Sequence, residues 1–587
     1  MDIDLTQAFR SHPKKFLQDH LRDVARKVNK RTAGLPTNLN FKTAEVAALF
    51  HDLGKINPNF QRKLNGVKKG YTGHSYLSAL AWFGFLQANA GQVEEWLVKP
   101  ARVFSVAAMI ARHHGDLPNL EEGIFKQQPF DDLQKFLSEQ PELPISDFLQ
   151  LLVPHKSFVL PASPLPLKKI ESAKLRPQEN QLAFFLETQF GFACLLESDK
   201  RDAGNNEVYK RENLKPYFQQ HFAPQLTAKI EKIGQVAKEK PGNTELNRVR
   251  TQMREEAVLN LQAQLQQNQR VFTLAAPTGA GKTLMLLSLA QEILARNPEL
   301  NVIYALPFLS ITEQVEKICQ DIFGDFHEVE KEKYKDDVPV LRFDSRSENQ
   351  TIERIQSELE TEPSEELLAQ LLQENFSAET FDHPFIVTTF VQVFETLVSN
   401  RNATLLRLPN FAHSIFLLDE IQALPPRLYI FFTALLDEFC RQFDSFAIIS
   451  TATMPYLEIT PKIHVTQLPA EQRPELLFVN YQPPPELSSP EHFTAPVFNR
   501  YRITKEDHLS TIELLADQLC DRDESCLVIL NTIDDTKQLY AALQNRYDTD
   551  ECVLLNTHFT LTDRRTKLAY CQQRLEDKRK LFWSQRN

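Results

Sequence analysis

The sequence predicts a multidomain protein: an all-α bundle over residues 1–215, then an α/β unit on a parallel, doubly wound sheet, then a second, incomplete α/β unit. Three observations predict it. Apolar residues in the first region recur three and four apart, as Phe16, Leu17, Leu21, Val24 and Val28 do, with no long alternating strand. From about residue 246, short apolar runs at 271–275, 302–306, 385–387, 415–418 and 447–449 alternate with helical segments, the pattern of a parallel sheet. A chain of 587 residues is also too long for one core.

The boundaries follow the texture. A polar stretch at 216–245 is expected to link the bundle to the first sheet unit, 246–475, in which the acidic segment 326–380 reads as an insertion at the sheet edge. A proline-rich linker at 476–505, containing QPPPELSSPEHFTAP, leads to the last unit, 506–587. There SCLVILN and CVLLN read as two strands, and the chain is expected to end in a charged helix.

Net charge of −11 gives no global basic field, which argues against a passive, charge-driven nucleic-acid coat but leaves room for a local groove. The start MDIDLTQAFR has no apolar core and is no secretory signal, and no stretch approaches a membrane span. Seven scattered cysteines without a CxxC pair read as reduced thiols of a cytoplasmic protein.

The helical region carries a histidine–aspartate set in five pieces: His20 in QDHLRDVA, His51 and Asp52 in LFHDLGK, His74 in TGHSYLS, His113 and His114 in ARHHGD, and Asp199 in LLESDKRD. Each lies within or at the end of a helical apolar pattern, so a bundle would aim them all at one place. Imidazole nitrogen with carboxylate oxygen suits Mn, Fe, Co, Ni or Zn, and a carboxylate between two histidine groups can bridge two metals. This order resembles the HD superfamily of metal-dependent phosphohydrolases. The resemblance implies one metal on His20, His51, Asp52 and Asp199, a second on Asp52, His74, His113 and His114, and Lys55 near a bound phosphate. Of the two nearby carboxylates, Asp199 is preferred to Asp202 because ESD directly ends the apolar run FGFACLL.

A second chemistry begins at APTGAGKT, residues 276–283, between a strand-like run and a helix-like one. That is the context of a P-loop. Backbone N–H groups of the Gly279–Ala280–Gly281 turn and the helix N-terminus would cradle phosphates within the loop that Pro277 and Thr278 begin, Lys282 would reach the β- and γ-phosphates, and Thr283 would hold Mg²⁺. Asp419 and Glu420 follow an apolar strand, where doubly wound sheets keep ligands. Asp419 would hold Mg²⁺ and Glu420 would polarise the attacking water. With Ala at the first P-loop position, the motif resembles the form used by superfamily-two helicases. By that resemblance STATMP at 450–455 is the coupling motif, with Gln422, Ser450, Thr451, Ala452 and Thr453 linking hydrolysis to movement. YALPFLSITEQ and VTTFVQVFETL resemble strand-contacting motifs, offering Ser310, Thr388, Thr389 and Gln392 to nucleic acid. Asn247, Arg250 and Gln252 in LNRVRTQM would read the adenine.

Both modules in this order resemble the CRISPR-associated helicase–nuclease of type I systems, with an HD nuclease ahead of two RecA-like domains. The resemblance implies ATP with Mg²⁺, two divalent transition metals (Mn, Fe, Co or Ni), and antiviral destruction of single-stranded DNA during 3′ to 5′ movement. It also implies recruitment by an RNA-guided surveillance complex. No stretch carries the family's motif V or the arginines of motif VI, so the chain reads as a C-terminally truncated member: a fragment, a shortened product, or half of a split protein whose other chain completes the second RecA-like domain. A missing arginine finger costs on the order of 10³–10⁵ in rate, so ATP is expected to bind and turn over slowly. The alternative is a nucleotide-gated DNA-binding module that cuts without unwinding.

Overall fold

The computed structural model describes residues 5–36, 41–67, 70–89, 91–119, 124, 126–140, 142–154, 181–206, 208–238, 244–307, 309–324, 339–344, 350–361, 363–455, 457, 482–499, 504–505, 511–546, 551–577 and 579–586. Two compact units divide the chain, Met1–Asn499 and Arg500–Asn587.

The first unit opens with a small hairpin, β1 (Arg10–His12) and β2 (Lys15–Phe16), and a helical bundle. Helix Leu17–Thr32 buries Leu17, His20, Leu21, Val24 and Val28. The apolar stripe therefore carries His20 inward with it. Helices Lys42–Phe50, Ser75–Ala88 and Pro100–Arg112 complete the wall. Helix Gln181–Ala203 runs through the middle, buried on every side from Gln189 to Ser198. Such a helix belongs between two layers rather than at a surface.

Its second layer is a six-stranded parallel sheet: β3 (Val271–Ala275), β4 (Asn301–Leu306), β5 (Val340–Phe343), β6 (Phe385–Thr389), β7 (Ser414–Asp419) and β8 (Phe446–Thr451), in the order β3-β8-β7-β4-β6-β5. Phe190 packs on Phe41 from the bundle at 5.5 Å and on Phe443 from the sheet side at 4.4 Å, ring centre to ring centre. A buried ion network crosses the same seam. Glu197 accepts from Arg31 (2.8 Å) and Arg201 (2.7 Å), and Arg201 reaches Asp382 at 3.3 Å. Burial pushes the Glu197 carboxyl up, but the Arg31 and Arg201 cations outweigh it and bring it from 4.5 down to about 2. A depressed carboxyl stabilises the fold above its unfolded pKa and ceases to do so as pH falls through the folded one, so on the order of 3 kcal/mol should disappear between pH 4.5 and 2. Acid unfolding followed by circular dichroism should show it, with a shallower slope for Glu197→Gln. An unchanged slope would remove Glu197 from the account.

Three expectations are corrected. The stretch 216–245 is no linker as far as Lys238, because helix Lys210–Lys238 docks Tyr217, Phe218, Phe222 and Leu226 in the sheet's core. Its Gln- and Lys-rich outer face and the internal Pro216 and Pro224 hid that stripe. The proline-rich stretch also docks, over 482–499: Thr273 N donates to Pro485 O and Leu487 N to Thr273 O, each 2.9 Å, covering the β3 edge, with Leu487 fully buried. Unpaired sheet edges are commonly covered in this way. The segment 326–380 contributes helices Gln350–Thr361 and Glu365–Glu379, but also the edge strand β5.

The second unit is a three-stranded parallel sheet of β9 (Cys526–Leu530), β10 (Cys552–Leu555) and β11 (Phe582–Arg586). Here the chain does not close on a charged helix. After helix Leu561–Glu576 comes β11, which sits between the other two strands. Strand β10 is buried throughout, whereas Leu527 and Ile529 of β9 are about half exposed.

Candidate metal centre and nucleotide site

All seven predicted metal residues converge. Potential ligand atoms of His20, His51, Asp52 and Asp199 lie within 4.8 Å of one another, as do those of Asp52, His74, His113 and His114. Asp52 belongs to both groups and faces them with different oxygens. Its Oδ2 lies 3.1 Å from His20 Nε2 and 3.6 Å from His51 Nε2. Its Oδ1 lies 3.1 Å from His74 Nε2 and 3.3 Å from His113 Nε2. Asp199 Oδ1 closes the first group, 3.3 Å from His20 and 3.5 Å from His51. His114 Nε2 closes the second, 2.9 Å from His74 Nε2.

The rings are held from behind. His51 Nδ1 donates to Ala48 O and His113 Nδ1 to Ile110 O, both at 2.7 Å. A carbonyl only accepts, so Nδ1 carries the proton and a neutral ring turns its Nε2 lone pair to the centre. There it meets carboxylate oxygens. Asp52 Oδ1 and His113 Nε2 are buried, 3.3 Å apart and without a hydrogen-bond donor, while Asp52 Oδ2 meets Lys55. Buried acceptors facing acceptors are costly unless a cation lies between them, so the donor set fits divalent metal. His20 is held by Asp202, whose Oδ2 lies 2.7 Å from Nδ1 and which also takes Lys15 and Lys27 at 2.6 and 2.9 Å. Asp202 thus meets His20 at Nδ1, behind the ring, and Asp199 meets it at Nε2, on the side of the cluster.

Burial opposes charge on His20, but hydrogen bonds with Asp199, Asp202 and Asp52 raise it to about 10. Burial also works against charge on Asp52 and Asp199, yet surrounding histidines hold both well below the ordinary carboxylate range. His114, desolvated and beside His113 and His74, drops to about 3. Lys55 is buried and bonds Asp52 directly. One neighbour was missed from sequence: His12, edge-on to His20 with ring centres 5.1 Å apart and a buried Nε2 without partner. It sits in the hairpin RSHPKKF, with no companion motif to announce it.

The glycine of LFHDLGK has a geometric cause. A Cβ on Gly54 would stand 2.2 Å from the backbone carbonyl of His74, which only glycine permits. Gly54→Ala should therefore displace His74 and weaken the second metal position roughly 10–100-fold. A Mn²⁺ titration checks this, and wild-type affinity would remove the contact from the account.

At the sheet's carboxyl edge, Gly279 and Gly281 adopt left-handed φ of +85° and +84°, giving the tight turn before helix Lys282–Arg296. Pro277, Thr278 and Ala280 complete the turn, and Thr283 follows Lys282 in the helix. Lys282 Nζ bonds Glu420 Oε1, Gln422 Nε2 donates to Glu420 Oε2 at 2.5 Å, and Thr451 Oγ1 donates to Gln422 Oε1. Thr453 N in turn donates to Thr451 Oγ1 at 3.1 Å. One chain of contacts thus joins the P-loop, the acidic pair and the predicted coupling motif, whose Ser450 O accepts from Glu420 N at 2.8 Å and whose Ala452 lies between the two threonines. Glu420 itself adopts φ +65°, a strained conformation for a non-glycine residue and one found at working sites. Asp419 accepts from Tyr304 OH at 3.1 Å through Oδ2 while its buried Oδ1 has no partner. Burial raises its carboxyl above the usual range against the pull of Lys282.

A cavity of about 210 Å³ adjoins the loop, lined by Asn247, Arg250, Thr251 and Arg254 together with Ala280 and Gly281. Arg250 Nη2 donates to Gly279 O at 2.6 Å. Gln252 is exposed and is not among its lining residues. The strand-contacting residues fare unevenly. Thr388 is fully buried and donates to Phe343 O at 2.7 Å, so its hydroxyl faces away from any strand. Thr389 ends β6, and Gln392 accepts from Arg407. Ser310 lies in the first turn of helix Leu309–Gly324, its side chain outside the described residues.

The fold and the two sites together define an HD-type metal-site domain joined on one chain to a helicase-type nucleotide-binding domain. Residues 12–160 match the family described as "Cas3, HD domain", and residues 249–421 match "Type III restriction enzyme, res subunit". The CRISPR-associated nuclease/helicase Cas3 of Haloferax volcanii is 27% identical over 463 residues, covering 70% of this chain. This chain spans 45% of that relative's length. Crystal structures of T. fusca Cas3-AMPPNP and of T. fusca Cas3 align at 15% and 14% identity with TM-scores of 0.53 and 0.52, over 100% and 97% of this chain and 69% and 68% of theirs. They share its fold. One region of the chain is thus similar to the Cas3 HD domain and another to the res-subunit family, and the chain over most of its length is similar to a Cas3 nuclease/helicase.

Proposed function

We propose that the chain is a metal-dependent single-stranded DNA nuclease coupled to an ATP-driven 3′ to 5′ translocase in antiviral defence, acting with an RNA-guided surveillance complex. The observation that carries the reading is Asp52, which divides its two oxygens between two histidine groups. His20, His51 and Asp199 would hold one divalent ion with Asp52; His74, His113 and His114 would hold the other. Such a pair supplies a water acidified to near-neutral pKa and charge stabilisation for displacement at phosphorus. The residues contribute orientation. Carbonyls of Ala48 and Ile110 and the carboxylate of Asp202 fix the imidazoles, while Lys55 supplies a cation beside the bridging carboxylate. At the second site Lys282 and the loop amides would bind phosphates, and Thr283 and Asp419 would bind Mg²⁺. Glu420 would orient water, and Gln422 with Thr451 would pass the change on.

The test sets single-stranded DNA, duplex DNA and nucleotides against the purified chain in Mn²⁺, with and without ATP. Cleavage confined to single strands supports the reading; preferred hydrolysis of nucleotides would make the HD domain a nucleotide phosphohydrolase. DNA-stimulated ATP turnover marks a motor, and ATP binding without stimulation marks a gate.

A further inference from the structure

We propose that Asn402, in the helicase domain, is a positioning residue for the second metal position of the HD domain. The inference rests on the reading that Asp52, His74, His113 and His114 hold an ion. His113 and His114 follow the last turn of helix Pro100–Arg112, where regular helical bonding has ended. The segment around them is held instead from the other domain, at His113, Asp116 and Leu117. Asn402 Nδ2 donates to the carbonyl of His113 at 2.9 Å, and Asn402 N donates to Asp116 Oδ1 at 3.0 Å. Leu117 N donates to Asn400 O and Asn400 Nδ2 to Leu117 O, both at 2.9 Å.

The holding segment is itself fixed. Ser399 N donates to Glu395 O at 2.8 Å, and Ser399 O accepts from Gln189 Nε2 at 2.8 Å. Beyond it, Leu405 and Leu406 are buried in the core shared by the two domains. The ring of His113 is therefore set from its own helix, through Ile110 O, while its backbone is set by Asn402. Losing the second restraint frees the turn that carries two of the four ligands of one metal position. The other position takes His20, His51 and Asp199; of these only Asp199 shares a helix with a clamp contact, through Gln189 ten residues before it. The effect should thus be selective. The clamp also continues from helix Phe390–Val398, which starts at the end of β6, so the nuclease's second ion depends on a segment of the helicase sheet.

The experiment titrates the purified full chain with Mn²⁺, counting bound ions and recording electron paramagnetic resonance. Wild type is expected to bind two ions with an exchange-coupled signal. Asn402→Asp keeps the shape but removes the amide donor. It should lose affinity for one ion roughly 10–100-fold and show a mononuclear signal where wild type is saturated. Arg401→Ala, altering an exposed neighbour, should behave as wild type. Two ions held with wild-type affinity in Asn402→Asp, or equal loss of both, overturns the proposal. A wild-type chain that binds no Mn²⁺ overturns the metal reading beneath it instead. If Asn402→Asp does not fold, Asn402→Ala under the same titration decides by the same outcomes.

Discussion

Replacing Asp52 with alanine is expected to reduce cleavage of single-stranded DNA by about 10³-fold or more, the scale of several kcal/mol of lost charge stabilisation. The reason is geometric. Asp52 alone contributes to both groups of potential ligands, so its removal strips one ligand from each. Bound Mn²⁺ should fall with activity. The fold should survive, because the surrounding helices bury a large apolar core that does not pass through Asp52. The variant nevertheless leaves Lys55 and the inward-facing histidines without their shared carboxylate, so some loss of thermal stability is expected alongside. Cleavage by a folded Asp52→Ala chain at the wild-type rate would show that the cluster is structural.

Lys282→Ala should act at the other site and there only. The lysine stands at the start of the helix after the glycine turn and bonds Glu420, so it connects the phosphate cradle to the acidic pair. Its loss should lower ATP turnover by roughly 10²–10³-fold, the scale for removing one preorganised charge contact. Metal-dependent nicking of naked single-stranded DNA should persist, since Lys282 belongs to neither group of potential metal ligands. Measuring both activities on one preparation separates the outcomes. Loss of both in a folded protein would mean that the two sites are coupled.

Much of the candidate site was legible because its residues come in short, unlike pairs at helix ends. His51–Asp52 and His113–His114 are each too unusual to be ordinary surface histidines, and the grouping followed from the resemblance that their order carries. Periodicity placed His20 correctly, since it shares a stripe with Leu17, Leu21 and Val24. Asp199 and Asp202 show the limit of such reasoning. They lie three apart on one helix, so spacing brings both toward His20, but only the fold shows which nitrogen each meets. Thr388 fails for a related reason. A threonine at a strand end reads as a hydroxyl for a phosphate, and whether it faces the crevice or the neighbouring strand depends on register.

The fold's missed parts share another cause. Helix Lys210–Lys238 buries a sparse stripe under a polar majority, and its prolines read as breakers. Strand β11 is short and follows a charged helix, so nothing local distinguishes it until it pairs with both neighbours. Asn402 is equally silent in sequence, because its meaning lies in a carbonyl 289 residues away.

The central claim is that Asp52 and its six partners form a metal centre that cuts DNA. The most direct measurement strips the purified chain with a chelator, removes the chelator, and follows cleavage of end-labelled single-stranded DNA as Mn²⁺ is restored. The account predicts no cleavage by the stripped protein, recovery that saturates as the second equivalent of Mn²⁺ binds, and no recovery in Asp52→Ala. Undiminished cleavage by the stripped chain in excess chelator would contradict it.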